Sequence, residues 1–297
     1  MSISRLRRTS LYIPGNNPGM LVNASVFGAD SLILDLEDAV SPGEKDTARI
    51  LVRNALESVS YGDTEITVRI NPLSGPFGKK DLEAIIPFAP DAIRLPKCES
   101  EEDIKVVDSF LGELELRNGL ETGKVKIIPL IESVKGMVNL REVVLASPRI
   151  VALNYGAEDY TLDIGAERTK EGQELNDIQS KIVIAARIAG IQALDSVFTD
   201  VHDDEGLFLE ASAMRSRGFD GKSVIHPRQI PIVHKAFTPS DKEIHFAEDI
   251  VDALEKAKTR HSGVVAVNGR MVDAPVAMRA RKILSLADAA GVRKERR

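Results

Sequence analysis

The chain has 297 residues, 43% of them hydrophobic, enough to bury one large core, and no run approaches the ~20 apolar residues of a membrane span. A net charge of −6, with 39 basic and 45 acidic residues and no basic stripe interleaved with aromatics, argues against a nucleic-acid-binding role. The single cysteine, Cys98, rules out an internal disulfide, and no signal-peptide-length apolar region follows the N-terminal Met-Ser-Ile-Ser-Arg-Leu-Arg-Arg, so a cytoplasmic protein is expected.

Short apolar, β-branched runs at 10–13, 31–36, 66–70, 92–95, 126–131, 150–155, 193–198 and 222–225 read as strands. Amphipathic segments at 18–27, 43–58, 80–88, 100–117, 134–146, 174–189, 204–217 and 227–236 read as helices between them. Ser100 followed by Glu101, Glu102 and Asp103 has the makeup of a helix start, and Pro227 suits a first turn. Strict β/α alternation implies parallel strands with right-handed crossovers. Eight such units fit a closed (β/α)8 barrel over 1–238, with a doubly wound open sheet as the alternative. From 239 to 297 the pattern changes to a long helix to about residue 260, a hairpin turning at Asn268-Gly269, and a last helix from Asp273. This extension of the same domain reads as a lid or an oligomer contact.

Several polar residues end the apolar runs. Asp35 and Glu37 follow Ser-Leu-Ile-Leu, Arg69 follows Ile-Thr-Val, Lys97 follows Ala-Ile-Arg-Leu-Pro, Glu132 follows Ile-Ile-Pro-Leu-Ile, and Glu158 and Asp159 follow Leu-Asn-Tyr-Gly-Ala. A parallel barrel gathers the carboxyl ends of its strands on one face, so these residues can converge. Carboxylates with an Arg and a Lys on one rim make up a metal-assisted site for anionic substrates, and the ion expected is a hard one such as Mg2+. Each also has a plainer reading. Glu132 can pair with a cation or cap a helix, Glu158 and Asp159 can solvate a loop, and Asp35 and Glu37 can form rim ion pairs. Arg69 needs an anion if it points inward, and either a substrate or a neighbouring carboxylate supplies one. His226 has no second histidine at metal-ligand spacing, and Cys98 reads as a packed thiol. No phosphate-binding glycine loop, nucleophile elbow or Cys/His zinc set is present.

Arg-Thr-Ser-Leu-Tyr-Ile-Pro-Gly-Asn-Asn-Pro (8–18), Leu-Asp-Leu-Glu-Asp-Ala-Val (34–40), Val-Arg-Ile-Asn-Pro-Leu-Ser-Gly-Pro-Phe-Gly (68–78) and Arg-Leu-Pro-Lys (94–97) stand in this order. Ile-Glu-Ser (131–133), Glu-Asp-Tyr-Thr-Leu-Asp-Ile-Gly (158–165), Gly-Phe-Asp-Gly-Lys-Ser-Val-Ile-His-Pro-Arg-Gln-Ile (218–230) and Asn-Gly-Arg-Met-Val-Asp-Ala-Pro (268–275) follow. Together they resemble the citrate lyase beta chains of the HpcH/HpaI aldolase/citrate lyase superfamily over nearly the whole chain. The resemblance implies a (β/α)8 barrel that cleaves a citryl thioester, carried on an acyl carrier protein, to acetyl thioester and oxaloacetate. It implies work beside an alpha subunit, and the C-terminal helices suggest a homo-oligomer. Relatives in the superfamily act on malyl-CoA, citramalyl-CoA or free hydroxy-keto acids; a thioesterase and a non-catalytic scaffold are the other readings. By matched motif, Glu132 and Asp159 would be the Mg2+ ligands, with Arg69 and Glu132 contacting substrate. Asp35, Glu37 and Lys97 stand on the same rim as further substrate-binding candidates. Asp273 would take part in catalysis, handling the proton at the acetyl carbon. Many CoA-dependent relatives carry a Lys in the first helix near the place of Asn23; its absence here resembles the carrier-protein-dependent chains.

Overall fold

The computed structural model describes residues 5–259, 265–267 and 270–293, with side chains given outside 256–271. Eight parallel strands close into a barrel in chain order: β1 Thr9–Pro14, β2 Ser31–Asp35, β3 Glu65–Arg69, β4 Ala92–Leu95, β5 Lys126–Ile131, β6 Ala152–Tyr155, β7 Gln192–Asp195 and β8 Gly221–Val224. The seam between β8 and β1 pairs Thr9 with Lys222, Ser10 with Ser223 and Leu11 with Val224. The closed barrel, rather than the open sheet, is the architecture.

The strands alternate strictly in where they point, because successive side chains leave opposite faces. Leu11 and Ile13, Leu32 and Leu34, and Val68 and Ile70 are fully buried. They alternate with Tyr12, Asp35 and Arg69, which line the cavity inside the barrel mouth. Burial on both faces is why these strands read as near-continuous apolar runs. The deeper inside is packed on one side by Ala92, Ile128, Ala152 and Leu194.

Helix starts follow from local chemistry. Ser100 Oγ accepts from the Asp103 amide at 3.3 Å while Asp103 Oδ2 accepts from the Ser100 amide at 2.8 Å, a reciprocal cap on helix Glu101–Arg117. Ser133 caps Val134–Val138 through the Gly136 amide at 3.2 Å. The helix expected from 227 begins instead at Gln229, because Gln229 Oε1 accepts from the amides of Ile225 and His226 at 2.9 and 3.2 Å and holds them outside the helix. Cys98 is buried, and burial pushes its thiol up to about 12, so it is no nucleophile at neutral pH.

The chain divides into two compact units, Arg7–Val233 and a second one of Met1–Leu6 with His234–Arg297. In the second, helices Asp241–Thr259 and Ala274–Ala289 share an apolar core of Ile244, Ala247, Ile250, Val272, Ala280, Leu284 and Ala287. Strands Val265–Val267 and Arg270–Val272 pair antiparallel, and the expected Asn268-Gly269 turn between them lies outside the described residues. Among the described residues no helix is long and apolar enough to cross a membrane.

At the barrel seam, a Cβ on Gly221 would fall 1.7 Å from the Arg7 carbonyl oxygen, a backbone atom with nowhere to move. Gly221→Ala is expected to cost about 3 kcal/mol or more, since the overlap can be relieved only by parting β8 from β1. Thermal or denaturant unfolding measures it; a variant melting with the wild type contradicts this account of the seam.

Candidate active site

A cavity of about 250 Å³ opens at the carboxyl ends of the strands, lined among others by Tyr12, Asp35, Asp38, Arg69, Glu132, Asn154, Glu158, Asp159, Ser196 and Ser223. Of the residues singled out in the sequence, Asp35, Arg69, Glu132, Glu158 and Asp159 meet there. Glu37 and Lys97 do not line it; Glu37 pairs with Arg69, and Lys97 reaches Glu37.

Arg69 ends β3 with its guanidinium buried, and Asp35 at the end of β2 takes it side-on. Nε donates to Oδ1 at 2.7 Å and Nη2 to Oδ2 at 2.6 Å. The same two carboxylate oxygens accept the amides of Glu37 at 3.0 Å and Ala39 at 3.2 Å, so Asp35 also shapes the loop after β2. That loop brings Glu37 Oε2 and Asp38 Oδ2 to 3.0 and 3.2 Å from Arg69 Nη1. The guanidinium lies 4.9 Å over the Tyr12 ring, a favourable stacking for a cation. Desolvation opposes the charge on Arg69, but Asp35, Tyr12 and Glu37 outweigh it and raise its pKa further.

Three carboxylates around one guanidinium leave negative charge in excess, and the most buried flexible member responds. Burial, and then repulsion from Asp38 and Glu132, push Glu37 up to about 8 against the opposing pull of Arg69. Asp35 has both oxygens committed to Arg69 and the backbone, so its place is that of a holder of Arg69.

Glu132 follows β5 and is seated by two backbone features. The Lys97 amide donates to Glu132 Oε2 at 2.9 Å, and Lys97 has a φ of 51°, a left-handed conformation that non-glycine residues adopt at a cost of order 1 kcal/mol. On the other side Gly156 leaves room: a Cβ there would stand 2.8 Å from Glu132 Cγ and 2.9 Å from Oε1. The Lys97 side chain is half exposed, with Nζ 3.8 Å from Glu37 Oε1. Burial, with the Asp159 charge adding to it, pushes Glu132 up to about 7 despite the Lys97 amide.

Asp159 and Glu158 lie in the first turn of helix Ala157–Asp163, where the positive helix end suits acids. The Ala157 amide donates to Ser196 Oγ at 3.1 Å, tying this turn to the end of β7. Glu158 sits 3.5 Å from Arg168 Nε. Glu132 and Asp159 therefore present two carboxylates of like charge to one cavity, and their repulsion marks a place where a cation would be stabilised. Among the described residues no group of three or more His, Cys, Asp or Glu is arranged so that it could hold a metal ion by itself. A hard divalent ion that keeps several waters and takes one or two carboxylates fits this donor set.

Asp273 belongs to the second unit. Its Oδ1 accepts from the Val276 amide at 3.0 Å, capping helix Ala274–Ala289. His226 is exposed and uses Nδ1 to accept from the Arg228 amide. Sequence reading passed over Tyr12, Asn154, Ser196 and Ser223, which also line the cavity; the signal available was polar residues at the inward alternation of otherwise apolar strands.

Residues 8–227 match the HpcH/HpaI aldolase/citrate lyase family. The chain is 46% identical over 289 residues to citrate lyase subunit beta of Leuconostoc mesenteroides subsp. cremoris, covering 97% of this chain and 96% of that protein. It is 41% identical over 291 residues to the corresponding subunit of Haemophilus influenzae, covering 98% and 100%. Among solved structures, protein CitE from Mycobacterium tuberculosis, in complex with magnesium, acetoacetate and coenzyme A, superposes with a TM-score of 0.77 at 32% identity over 96% of this chain and 98% of that one. The chain is thus a member of the HpcH/HpaI aldolase/citrate lyase family.

Proposed function

We propose that this protein is a Mg2+-dependent carbon–carbon lyase that cleaves a citryl thioester on an acyl carrier protein to acetyl thioester and oxaloacetate, as the beta subunit of a citrate lyase. The observation that carries this reading is the Glu132 and Asp159 pair on one cavity with the Arg69 guanidinium. Similarity to two citrate lyase beta subunits over nearly the full length supports it.

Cleavage removes the proton of a tertiary hydroxyl, breaks the bond between that carbon and the acetyl carbon, and leaves the electron pair as a thioester enolate that is then protonated. Glu132 and Asp159 would hold Mg2+, which when bound polarises the hydroxyl and its neighbouring carboxylate. Arg69 stands at the cavity wall as a fixed positive charge for a substrate carboxylate or the developing enolate oxygen. Asp35 keeps that guanidinium in place, so its contribution is to orient Arg69. Glu37 completes the charge pattern behind it, and the Lys97 ammonium at the rim is placed to attract an anionic substrate. Asp273 remains the proposed proton donor at the acetyl carbon; the cap to Val276 uses one of its two oxygens.

The carrier reading, with an alpha subunit and carrier protein as partners and a homo-oligomer as the working state, rests on the same relatives and on the first helix. There Asn23 donates to the Gly19 carbonyl at 2.8 Å and supplies no cation. The alternative, a free-standing malyl-CoA or citramalyl-CoA lyase, draws on the coenzyme A in the Mycobacterium tuberculosis relative.

Oxaloacetate release from citryl-acyl carrier protein, compared with citryl-CoA, malyl-CoA and citramalyl-CoA with and without Mg2+, separates these readings. The carrier-bound citryl group is expected to be preferred and to require Mg2+. Glu132→Ala and Asp159→Ala are each expected to lose about two to three orders of magnitude in kcat with the fold retained, the scale of losing one charge-stabilising group; full activity in either removes the proposal. Gly156→Ala is expected to push the Glu132 side chain aside and lower kcat by about 10- to 100-fold, with circular dichroism unchanged. Wild-type turnover in that variant would show that the seating of Glu132 does not matter.

A further inference from the structure

Glu132 and Asp159 stand in two turns that are hydrogen-bonded to each other on both sides of the pair. Before the two carboxylates, the Gly156 amide donates to the Ile131 carbonyl at 2.9 Å. After them, the Val134 amide donates to Asp163 Oδ2 at 2.7 Å. Ile131 and Val134 bracket Glu132, and Gly156 and Asp163 bracket Asp159, so the two tethers close a frame that holds both side chains. The first tether is backbone at both ends. The second depends on one side chain, that of Asp163 at the end of helix Ala157–Asp163.

Asp163 belongs to the Glu-Asp-Tyr-Thr-Leu-Asp-Ile-Gly run of 158–165, does not line the cavity and has no part in the chemistry above. Its bond reaches back 29 positions to the first residue of helix Val134–Val138. There an anionic oxygen takes an amide that the helix leaves open, and its charge suits the positive helix end. The other constraints act elsewhere. The Lys97 amide holds Glu132 Oε2, and Ser196 Oγ holds the Ala157 amide at the start of the helix that carries Asp159. With its start pinned, that seven-residue helix is still free to swing its far end away from the Glu132 turn. Repulsion between the Glu132 and Asp159 carboxylates favours such a swing. The Asp163 tether opposes it.

We propose that Asp163 is a positioning residue for the metal: its bond to the Val134 amide fixes the spacing of Glu132 and Asp159 and so sets their affinity for a hard divalent cation. The inference rests on the reading of Glu132 and Asp159 as the metal ligands. Two like charges already held at the spacing an ion requires need not be drawn together when it binds, and the free energy of binding appears in full as affinity. Asp163 acts through the two turns and not by touching the ion.

The test uses the full chain, metal-free, titrated with Mn2+, a hard ion of the same oxygen preference whose unbound form is counted by electron paramagnetic resonance. Asp163→Ala is expected to raise the Mn2+ dissociation constant about tenfold, the scale of losing a group that orients metal ligands. Asp163→Asn, whose side-chain oxygen can accept from the same amide, is expected to restore most of the affinity. Should the alanine variant fail to fold, Asp163→Ser, polar but too short to reach Val134, takes its place. An unchanged dissociation constant in Asp163→Ala, even with a lowered melting temperature, overturns the inference, as does an asparagine variant no better than alanine. A wild-type site that is lost in Glu132→Ala yet untouched by Asp163→Ala removes this inference alone; a wild type that binds no Mn2+ removes the metal-dependent lyase reading with it.

Discussion

The side-on pair between Asp35 and Arg69 is the contact from which the mouth of the barrel is organised. A guanidinium at the end of β3 would be unstable without an acceptor of matching geometry, and Asp35 provides one from the neighbouring strand at 2.7 and 2.6 Å. Its oxygens also order the Glu37 and Ala39 amides, so one carboxylate fixes both the cation and the loop that surrounds it. Removing one partner of such a pair leaves a buried charge alone, at a cost of about 3–5 kcal/mol. Crowding of Glu37 and Asp38 against the same nitrogen follows from that loop, and the raised pKa of Glu37 is its electrostatic consequence.

Glu132 is held differently, by backbone and by the lack of a side chain. The left-handed Lys97 aims an amide at it, Gly156 vacates the space it fills, and Ser133 starts the next helix directly behind. Three loops from three β/α units thus determine where one carboxylate points. This is how a barrel makes a stiff site from flexible parts, since each loop is anchored to a strand at one end.

A buried network ties β6, β7 and β8 together. Tyr155 donates to Asp195 at 2.8 Å, and Lys222 joins Asp195 at 2.6 Å and Glu210 at 2.5 Å. Gln179 donates to the Tyr155 hydroxyl at 3.1 Å. Every polar group in this set has a partner, which lets it stiffen the strands that carry Gly156 and Ser196. The contrast with Arg94 on β4, whose terminal nitrogens have no hydrogen-bond partner, is what sets the interior near that strand apart.

Strands and helices were legible because each strand is short, apolar and bounded, and because alternation of β and α admits few topologies. The rim residues Asp35, Arg69 and Glu132 were legible for the same reason, as polar ends of apolar runs. Details that depend on distant partners were not. The helix expected over 134–146 breaks at Asn139, whose side chain donates to the Glu99 carbonyl 40 positions away at 2.8 Å. Asp159 falls in the first turn of a helix, with the Ala157 amide anchored to Ser196. By itself the sequence determined the alternation, the barrel and the chemical types at its mouth, all consequences of local periodicity. Only the tertiary structure decided that Asp35 serves Arg69, that Lys97 acts through its amide, and that Arg94 is left with open donors. Those outcomes depend on which groups meet across the barrel, and chain order does not record such meetings.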